Sequence, residues 1–511
     1  MIRKDEKLRN LGVIELGTTY VKIEFGAMSD NETYVVTDKE QTEIQIANDL
    51  INGEMIKQEN INYIVSLLKN YKAKCVANAI SEIYAVASDE YYNAKNQRSF
   101  FDEVYSQTGF RFNVLSNEEY THHLYTAFIN SLDCPKGLII AADGINTKLF
   151  AYNRRNLLNN EKIEIGGVNL AEQFADQQGK KDVITQMTKS FAANIKDFSK
   201  FEGLDPETQI VGTGEAFLAL AKLSKKVKHY QYDREHAYQM TLEDFQKVYD
   251  FLKTIEFDKT KRLKGISNQR ADVLMADIAI IKAVMDASKI EKVIISENGI
   301  SDAILLTKTY PITLEKPISD VLGYSIECQN TFYNNSAIKN TTNLYNISMI
   351  LYRQLKVLHK LPRNYVKVLR IASYFFDCGK RISGVNHYKK GFDVVLNSDI
   401  YGVAHHEQIL ASFVVACQYL DDFSMTDWVR YNAILNDYDL EAVRKLAVIV
   451  RLASKLDAYG VGRVKDISCD ILGDSVIMKT IVEQPADLEV REAMTVAKDF
   501  VKAFKKHLEV L

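Results

Sequence analysis

At 511 residues, 47% of them hydrophobic and 26% charged, the chain is too long for one hydrophobic core and too apolar to be disordered, so two to four domains are expected. A net charge of −3 excludes a global basic footprint for nucleic acid, and nucleic acid is not expected as a partner; any polyanion site has to be local. Six scattered cysteines without a C-x-x-C pair speak against a zinc ribbon and for the thiols of a reducing compartment.

The N-terminal "MIRKDEKLRN" is charged and carries no apolar leader, and no run approaches the ~20 apolar residues of a membrane span, so a cytoplasmic location without a membrane partner is expected. "LGVIELGTTYVKIEFGAM" (11–28) is an apolar run, a Gly-Thr-Thr turn and then alternation through Val21, Ile23 and Phe25, the pattern of a β-hairpin. A third strand is expected in "ETYVVTDKEQTEI", a helix over Ile61–Tyr71, a buried strand in "CVANAISEIYAVAS", and a helix over "QRSFFDEVYSQTG" that ends at Gly109 as its C-cap.

The pattern then restarts. "GLIIAADGINTKLFAYNRRNLLNNEKIEIGG" reads as apolar strand, polar turn, alternating strand, a turn at "NLLNN" and a third strand. Setting Ile14-Glu15-Leu16-Gly17-Thr18-Thr19 on Ile140-Ala141-Ala142-Asp143-Gly144-Ile145 superposes the two units. A duplicated α/β domain would let two such turns hold one phosphate chain between them; a chance match of two hairpins fits the same pattern. From 184 to 290 the spacing is mostly helical, interrupted by "TQIVGTGEAFLALAKL", where a strand, a Gly-Thr-Gly turn and a helix would present backbone N–H groups to an anion or simply connect two elements. "KVIISENGISDAIL" repeats that arrangement, and both turns fall at strand C-termini, where open α/β sheets bind ligands. Beyond Pro311 and Pro317 the spacing is helical to the end, broken once at "SGVNHYKKGFDVVLNSDIYGV".

In this order the motifs resemble the exopolyphosphatase/guanosine pentaphosphate phosphohydrolase family of the actin-like ATPase-domain superfamily. "VIELGTTYVKIEF" is similar to its first phosphate loop, "LSNEEYTHHLYTAF" to the segment with the catalytic glutamate, "IGGVNLAEQF" to the motif after the second hairpin, and "VGTGEAFLALAKL" to its Gly-Thr-Gly-Gly turn. "FFDCGKRISGVNHYKKGFDVVLNSDIYGVAHHEQI" is similar to the helical His-Asp-type domain of longer members. The resemblance implies an α/β fold of two actin-like, ribonuclease H-like (ASKHA) lobes, 1–127 and 128–310, followed by an all-α HD-like domain over 311–511. It implies release of terminal phosphate from inorganic polyphosphate or guanosine pentaphosphate by glutamate-activated water with Mg²⁺, and a homodimer formed through the C-terminal domain.

Carried over residue by residue, the resemblance makes Glu119, Glu118 and Glu15 the catalytic carboxylates, with Glu15 and Asp143 as candidate Mg²⁺ ligands. Gly17, Thr18, Thr19, Asp143, Gly144, Asn146, Thr147, Gly212, Thr213 and Gly214 become the phosphate-binding set. Four positions depart from the family pattern: Ala141 stands where a carboxylate is usual, Tyr120 at the ungapped position of the catalytic glutamate, and Tyr92 and Asn169 where arginines contact phosphate. Ser116 and Glu119 also satisfy a helix capping box, which needs no catalytic explanation. A paralogue that binds polyphosphate or guanosine tetraphosphate without turnover is therefore the alternative. In the C-terminal region Phe376-Asp377 replaces the metal-binding His-Asp pair, while His359, His387, His405, His406 and Asp457 remain near the expected places. Nine Lys or Arg residues between Lys356 and Lys390, among them Lys380, Arg381, Lys389 and Lys390, face the single acid Asp377 and suit a linear polyanion or a solvated helix face.

Overall fold

The computed structural model describes residues 8–53, 55–142, 144–154, 156–177, 179–195, 198–201, 203–263, 271, 273–311, 317–333 and 341–511. They form two compact units, one of residues up to 229 together with 233–321, the other of 230–232 with 322–511. No helix among the described residues is long and apolar enough to cross a membrane.

The first unit holds two sheets of matching topology. Strands β1 (Arg9–Leu16), β2 (Tyr20–Met28), β3 (Tyr34–Glu43), β4 (Glu82–Ala87) and β5 (Phe112–Val114) run in the order β3-β2-β1-β4-β5. Strands β6 (Lys136–Ala142), β7 (Thr147–Asn153), β8 (Asn156–Ile163), β9 (Gln209–Gly212), β10 (Gln239–Thr241) and β11 (Lys292–Ile295) run β10-β11-β9-β6-β7-β8. In each sheet an antiparallel three-strand meander joins two parallel strands reached through helices, and the second sheet adds β10 antiparallel at its edge. The registers also coincide: Glu15 lies opposite Lys22 and Leu16 opposite Val21 in the first hairpin, Ala141 opposite Lys148 and Ala142 opposite Thr147 in the second. Two independent hairpins have no reason to share strand order and register together, so the duplication read from the sequence is present in the fold.

From Leu11 to Leu16 β1 is apolar save for Glu15, because both its faces are covered there. Ile14 and Leu16 pack with the helices Gln58–Ala77 and Gln97–Thr108, while Leu11 and Val13 pack with Asn117–Ile129, β6 and Ile300–Thr309. Side chains alternate along a strand, so Glu15 shares the face of Leu11 and Val13 and stands at its end. Ala141 takes the same place after Ile139. One core thus runs through both lobes and stops at the pair of hairpin turns.

Three local expectations need correction. Cys75–Ala77 belong to the helix Gln58–Ala77 rather than to a strand, so the strand begins only at Glu82. "NLLNN" is the start of β8 rather than a turn; the chain reverses just before it, with Arg154 at φ 55°. The first helix after β3 runs Ile46–Gly53 and was not foreseen. Gly109 does cap Gln97–Thr108, at φ 79°.

The second unit is not all-α. Around a helical core built on Tyr365–Tyr374, His405–Ala416 and Asp437–Leu456, the chain adds β12 (Val464–Leu472), β13 (Ser475–Val482) and β14 (His507–Val510). β12 and β13 form an antiparallel hairpin around Gly473, and β14 joins β13 in parallel. The alternation of Ile467, Cys469 and Ile471 in β12 and of Val476 and Met478 in β13 against more exposed neighbours is a period of two, which a helical reading of the whole region overrode. Among the described residues no group of three or more His, Cys, Asp or Glu side chains could hold a metal. Each candidate ligand has another partner: His359 bonds the Tyr352 carbonyl at 2.7 Å, His405 the Tyr230 hydroxyl at 2.9 Å, His406 the Asp439 carboxylate at 2.9 Å, His387 lies 3.4 Å from Asp377, and Asp457 accepts from Gly462 N at 3.1 Å.

In this unit the turn Cys378–Arg381 lies flush on the helix His387–Asn397. A Cβ on Gly379 would meet the His387 carbonyl oxygen at 1.9 Å and Gly391 N at 2.6 Å, both backbone atoms that cannot rotate aside. Gly379→Ala is expected to cost on the order of 2 kcal/mol, read as a lower midpoint in urea unfolding of the second unit.

Candidate active site between the two hairpins

A cavity of about 380 Å³ lies where the two lobes of the first unit meet. Glu15, Thr19, Tyr20, Lys22, Lys39 and Gln41 line it from the first lobe, Tyr120 and Leu124 from the helix Asn117–Ile129, and Ala141, Ala142, Thr213, Gly214, Glu215, Leu218, Glu297, Gly299 and Ile300 from the second. Two helices, Glu215–Val227 and Ile300–Thr309, begin at its wall, so their N-terminal dipole ends face it. Gly214 and Gly299 have open space where a Cβ would stand, which leaves their backbone accessible.

The expected site residues separate into two groups. Glu15 is brought in: it is 6% exposed, lines the cavity and accepts a hydrogen bond from the Tyr20 hydroxyl. Thr19, Thr213 and Gly214 line the cavity too. Gly17 makes the turn, its N–H bonding Tyr20 O at 2.9 Å, and a Cβ there would meet the Tyr20 ring at 2.7 Å. The others lie elsewhere. Thr18 is buried and donates to the Glu90 carboxylate at 2.8 Å, away from the cavity. Thr147 donates to Ile165 O at 2.7 Å, and Asn146 is fully buried with neither carboxamide atom partnered among the described residues. Gly212 is required by packing, since a Cβ would meet the Phe217 ring at 2.0 Å. A Cβ on Gly144 would lie 2.8 Å from Ala47 Cβ and 2.9 Å from Thr19 Cγ2, so the two turns touch at this point instead of flanking a gap. Asp143 lies outside the described residues.

The catalytic position expected of Glu119, with Glu118 beside it, finds no support in the geometry. Both residues are exposed and neither lines the cavity. Glu119 closes the capping box, its carboxylate accepting from Ser116 N at 2.8 Å and its N–H donating to Ser116 Oγ at 3.1 Å. The next residue, Tyr120, fills the cavity wall, and the Lys148 ammonium sits 3.5 Å from its ring centroid. Lys148 is also ion-paired to Asp89, which Lys162 meets at 3.3 Å. Tyr92 is exposed and bonds Val114 O at 3.0 Å, and Asn169 caps Gly166 N at 2.7 Å, so neither reaches the cavity.

Lys22, Lys39, Glu215 and Glu297 were missed in the sequence. Lys22 and Glu24 alternate with Val21, Ile23 and Phe25, a charged pair on one face of a buried strand, and that was the available signal. The Lys22 ammonium lies 2.7 Å from Glu24 and 3.3 Å from Asp302, which also accepts from Gly299 N at 2.7 Å. Burial alone would lower the pKa of Lys22, but Asp302, Glu24 and Glu15 outweigh it and hold the ammonium protonated. Burial likewise works against the Asp302 charge, and Lys22 and Lys39 overcome it, keeping the carboxyl well below its usual range. Glu24 goes the other way, raised by burial and by Asp302. The lining thus carries three carboxylates, Glu15, Glu215 and Glu297, against two ammonium groups.

Behind Glu297, His236 is 2% exposed; its Nδ1 accepts from Glu297 N at 3.4 Å, and Nε2 faces Ser131 O at the same distance. Burial first, then Arg234, push its pKa down to about 4. The unfolded chain, with an ordinary imidazole near 6.5, therefore binds more protons below that pH. Stability is expected to hold above pH ~6.5 and to fall by on the order of 2 kcal/mol toward pH 4.5 from this residue, seen as a pH-dependent unfolding midpoint that flattens in His236→Asn.

The family model described as the Ppx/GppA phosphatase family matches residues 27–310, beginning inside β2, so Glu15, the Gly17–Thr19 turn and Lys22 precede the matched span. A curated relative from Fusobacterium nucleatum, a bifunctional 3-dehydroquinate synthase/phosphatase, is 20% identical over 306 residues; the match covers 56% of this chain and 44% of the relative, less than half its length. Among solved structures, an exopolyphosphatase from Cytophaga hutchinsonii aligns with a TM-score of 0.55 at 17% identity, covering 60% of this chain and 99% of that one. A PPX-GPPA enzyme from Aquifex aeolicus aligns at 0.50 and 20% identity, covering 59% and 100%. Both likenesses concern the fold.

Proposed function

Because the chain belongs to the Ppx/GppA phosphatase family, we propose that it is a phosphohydrolase acting in the cavity between its hairpins, where it removes the terminal phosphate of inorganic polyphosphate or guanosine pentaphosphate. The observation that carries this reading is Glu15, a buried carboxylate at the end of β1 that faces the cavity and is oriented by the Tyr20 hydroxyl.

Lys22 and Lys39 offset phosphate charge, and the helix starts at Gly214 and Gly299 offer backbone dipoles to the chain's oxygens. Thr19 adds a hydroxyl from the first turn. Glu15 holds the attacking water and takes its proton as the water oxygen bonds the terminal phosphorus; the terminal anhydride bond breaks, and the phosphate chain one unit shorter leaves with the bridging oxygen and its electron pair. Mg²⁺ fits the donor set, since a lining with more carboxylates than ammonium groups cannot neutralise a phosphate chain alone and Mg²⁺ needs only one or two carboxylates beside substrate oxygens. A lining carboxylate other than Glu15, namely Glu215 or Glu297, would hold it, and its contribution would be to neutralise charge on the phosphoryl oxygens.

A second reading, binding without turnover, is favoured by Tyr120 and Ala141, which leave two carboxylate positions of the cavity empty of charge. Parallel equilibrium binding and phosphate-release measurements on polyphosphate and guanosine pentaphosphate separate the two: Mg²⁺-dependent release supports hydrolysis, and tight binding with release at the no-protein rate supports the second reading.

A further inference from the structure

We propose that residues 378–390 of the second unit form a docking surface for an anionic lipid bilayer. The segment is a rigid knuckle: the turn Cys378–Arg381 packs on the helix His387–Asn397 with glycine at the contact, and Ser383 ties the loop between them. Ser383 N donates to Gly379 O at 3.1 Å, its hydroxyl donates to Val385 O at 3.1 Å and accepts from Val385 N at 3.2 Å.

This folding holds four cations and two bare apolar side chains within eleven residues. Lys380, Arg381, Lys389 and Lys390 are all exposed, Ile382 is 60% and Val385 76% exposed. Asp377 offsets one cation, lying 2.7 Å from Lys380, so the knuckle keeps an excess of positive charge. Two other cations of the run are engaged elsewhere: Lys367 bonds Gly402 O at 3.1 Å and the Arg370 guanidinium lies over the Tyr345 ring.

Charge complementarity limits the partner to an anion, and the loop tip chooses among anions. A dissolved phosphate chain satisfies the ammonium and guanidinium groups and offers nothing to Ile382 and Val385. A bilayer surface offers both, anionic headgroups for the cations and, just beneath them, an acyl boundary for short apolar side chains. Such a contact is peripheral and reversible and needs no spanning helix, and none is present among the described residues; it departs from the sequence reading, which expected no membrane partner.

The test is co-sedimentation of the full chain with phosphatidylcholine vesicles containing roughly one-third phosphatidylserine, against vesicles of phosphatidylcholine alone. The wild-type chain is expected to bind only the anionic vesicles. Lys389→Glu/Lys390→Glu and Ile382→Ser/Val385→Ser should each lower the bound fraction about tenfold or more. All four substituted positions are exposed, and unchanged circular dichroism will certify the fold. Equal binding to both vesicle types, no binding to either, or an unchanged bound fraction in the Ile382→Ser/Val385→Ser variant overturns the proposal. So does retention on immobilised polyphosphate that depends on Lys389 and Lys390 without any vesicle binding, since the knuckle would then be a site for soluble polyanions.

Discussion

Glu15→Gln is expected to lower Mg²⁺-dependent phosphate release from long-chain polyphosphate by about 100-fold or more, with folding preserved, because the amide keeps the shape of the side chain and cannot take the water's proton. Glu119→Ala is expected to change the same rate by less than about twofold. Its carboxylate lies outside the cavity and caps the helix Asn117–Ile129, so its loss should appear instead as about 1 kcal/mol of stability. Initial rates and urea midpoints for the two variants decide between the carboxylates. A Glu119→Ala protein that is stable but inactive, beside an active Glu15→Gln protein, would return the catalytic role to the start of the helix Asn117–Ile129.

The second large effect concerns stability. Lys22→Met would leave the Glu24 and Asp302 carboxylates buried without their shared cation, and a lone buried charge costs far more than an intact pair contributes. The loss is expected to be roughly 3–5 kcal/mol by urea denaturation. Because the three groups form one network, Glu24→Gln in the Lys22→Met background should recover part of it rather than add to it. Lys22 lies on β2 and Asp302 on the helix Ile300–Thr309, so the same change loosens the hold of that helix on the first sheet. A Lys22→Met protein within about 1 kcal/mol of wild type would mean that water reaches the cluster and that its charges are not truly buried.

These two experiments bear on what could and could not be read along the chain. The duplicated hairpins were legible because strands of period two with small turn residues leave a local signature, and "GVIELGTTYVKIEF" and "GLIIAADGINTKLF" carry it at matching offsets. The capping box at Ser116 and the C-cap at Gly109 were legible for the same reason, since each is satisfied within a few residues. The start of β8, the β12–β13 hairpin and the helix Ile46–Gly53 were not, because short strands and helices are decided by the core they cover. The cavity was legible only by halves. Glu15 could be placed by its strand face, but that Thr18 turns to Glu90, that Gly144 packs on Thr19 and that Lys148 reaches Tyr120 all depend on partners 28 to 125 residues away. Motif order gave the family and left the direction of each side chain open, so it could not show that Glu119 turns to the Ser116 cap or that Lys22 lines the cavity.

The central claim, attack of water on a terminal phosphorus in this cavity, is tested most directly by turnover in ¹⁸O-enriched water with mass spectrometry of the products. Released inorganic phosphate carrying one solvent oxygen, formed above the no-protein rate and only with Mg²⁺, is the expected result. No release above that rate, or release of phosphate without solvent oxygen, would contradict it.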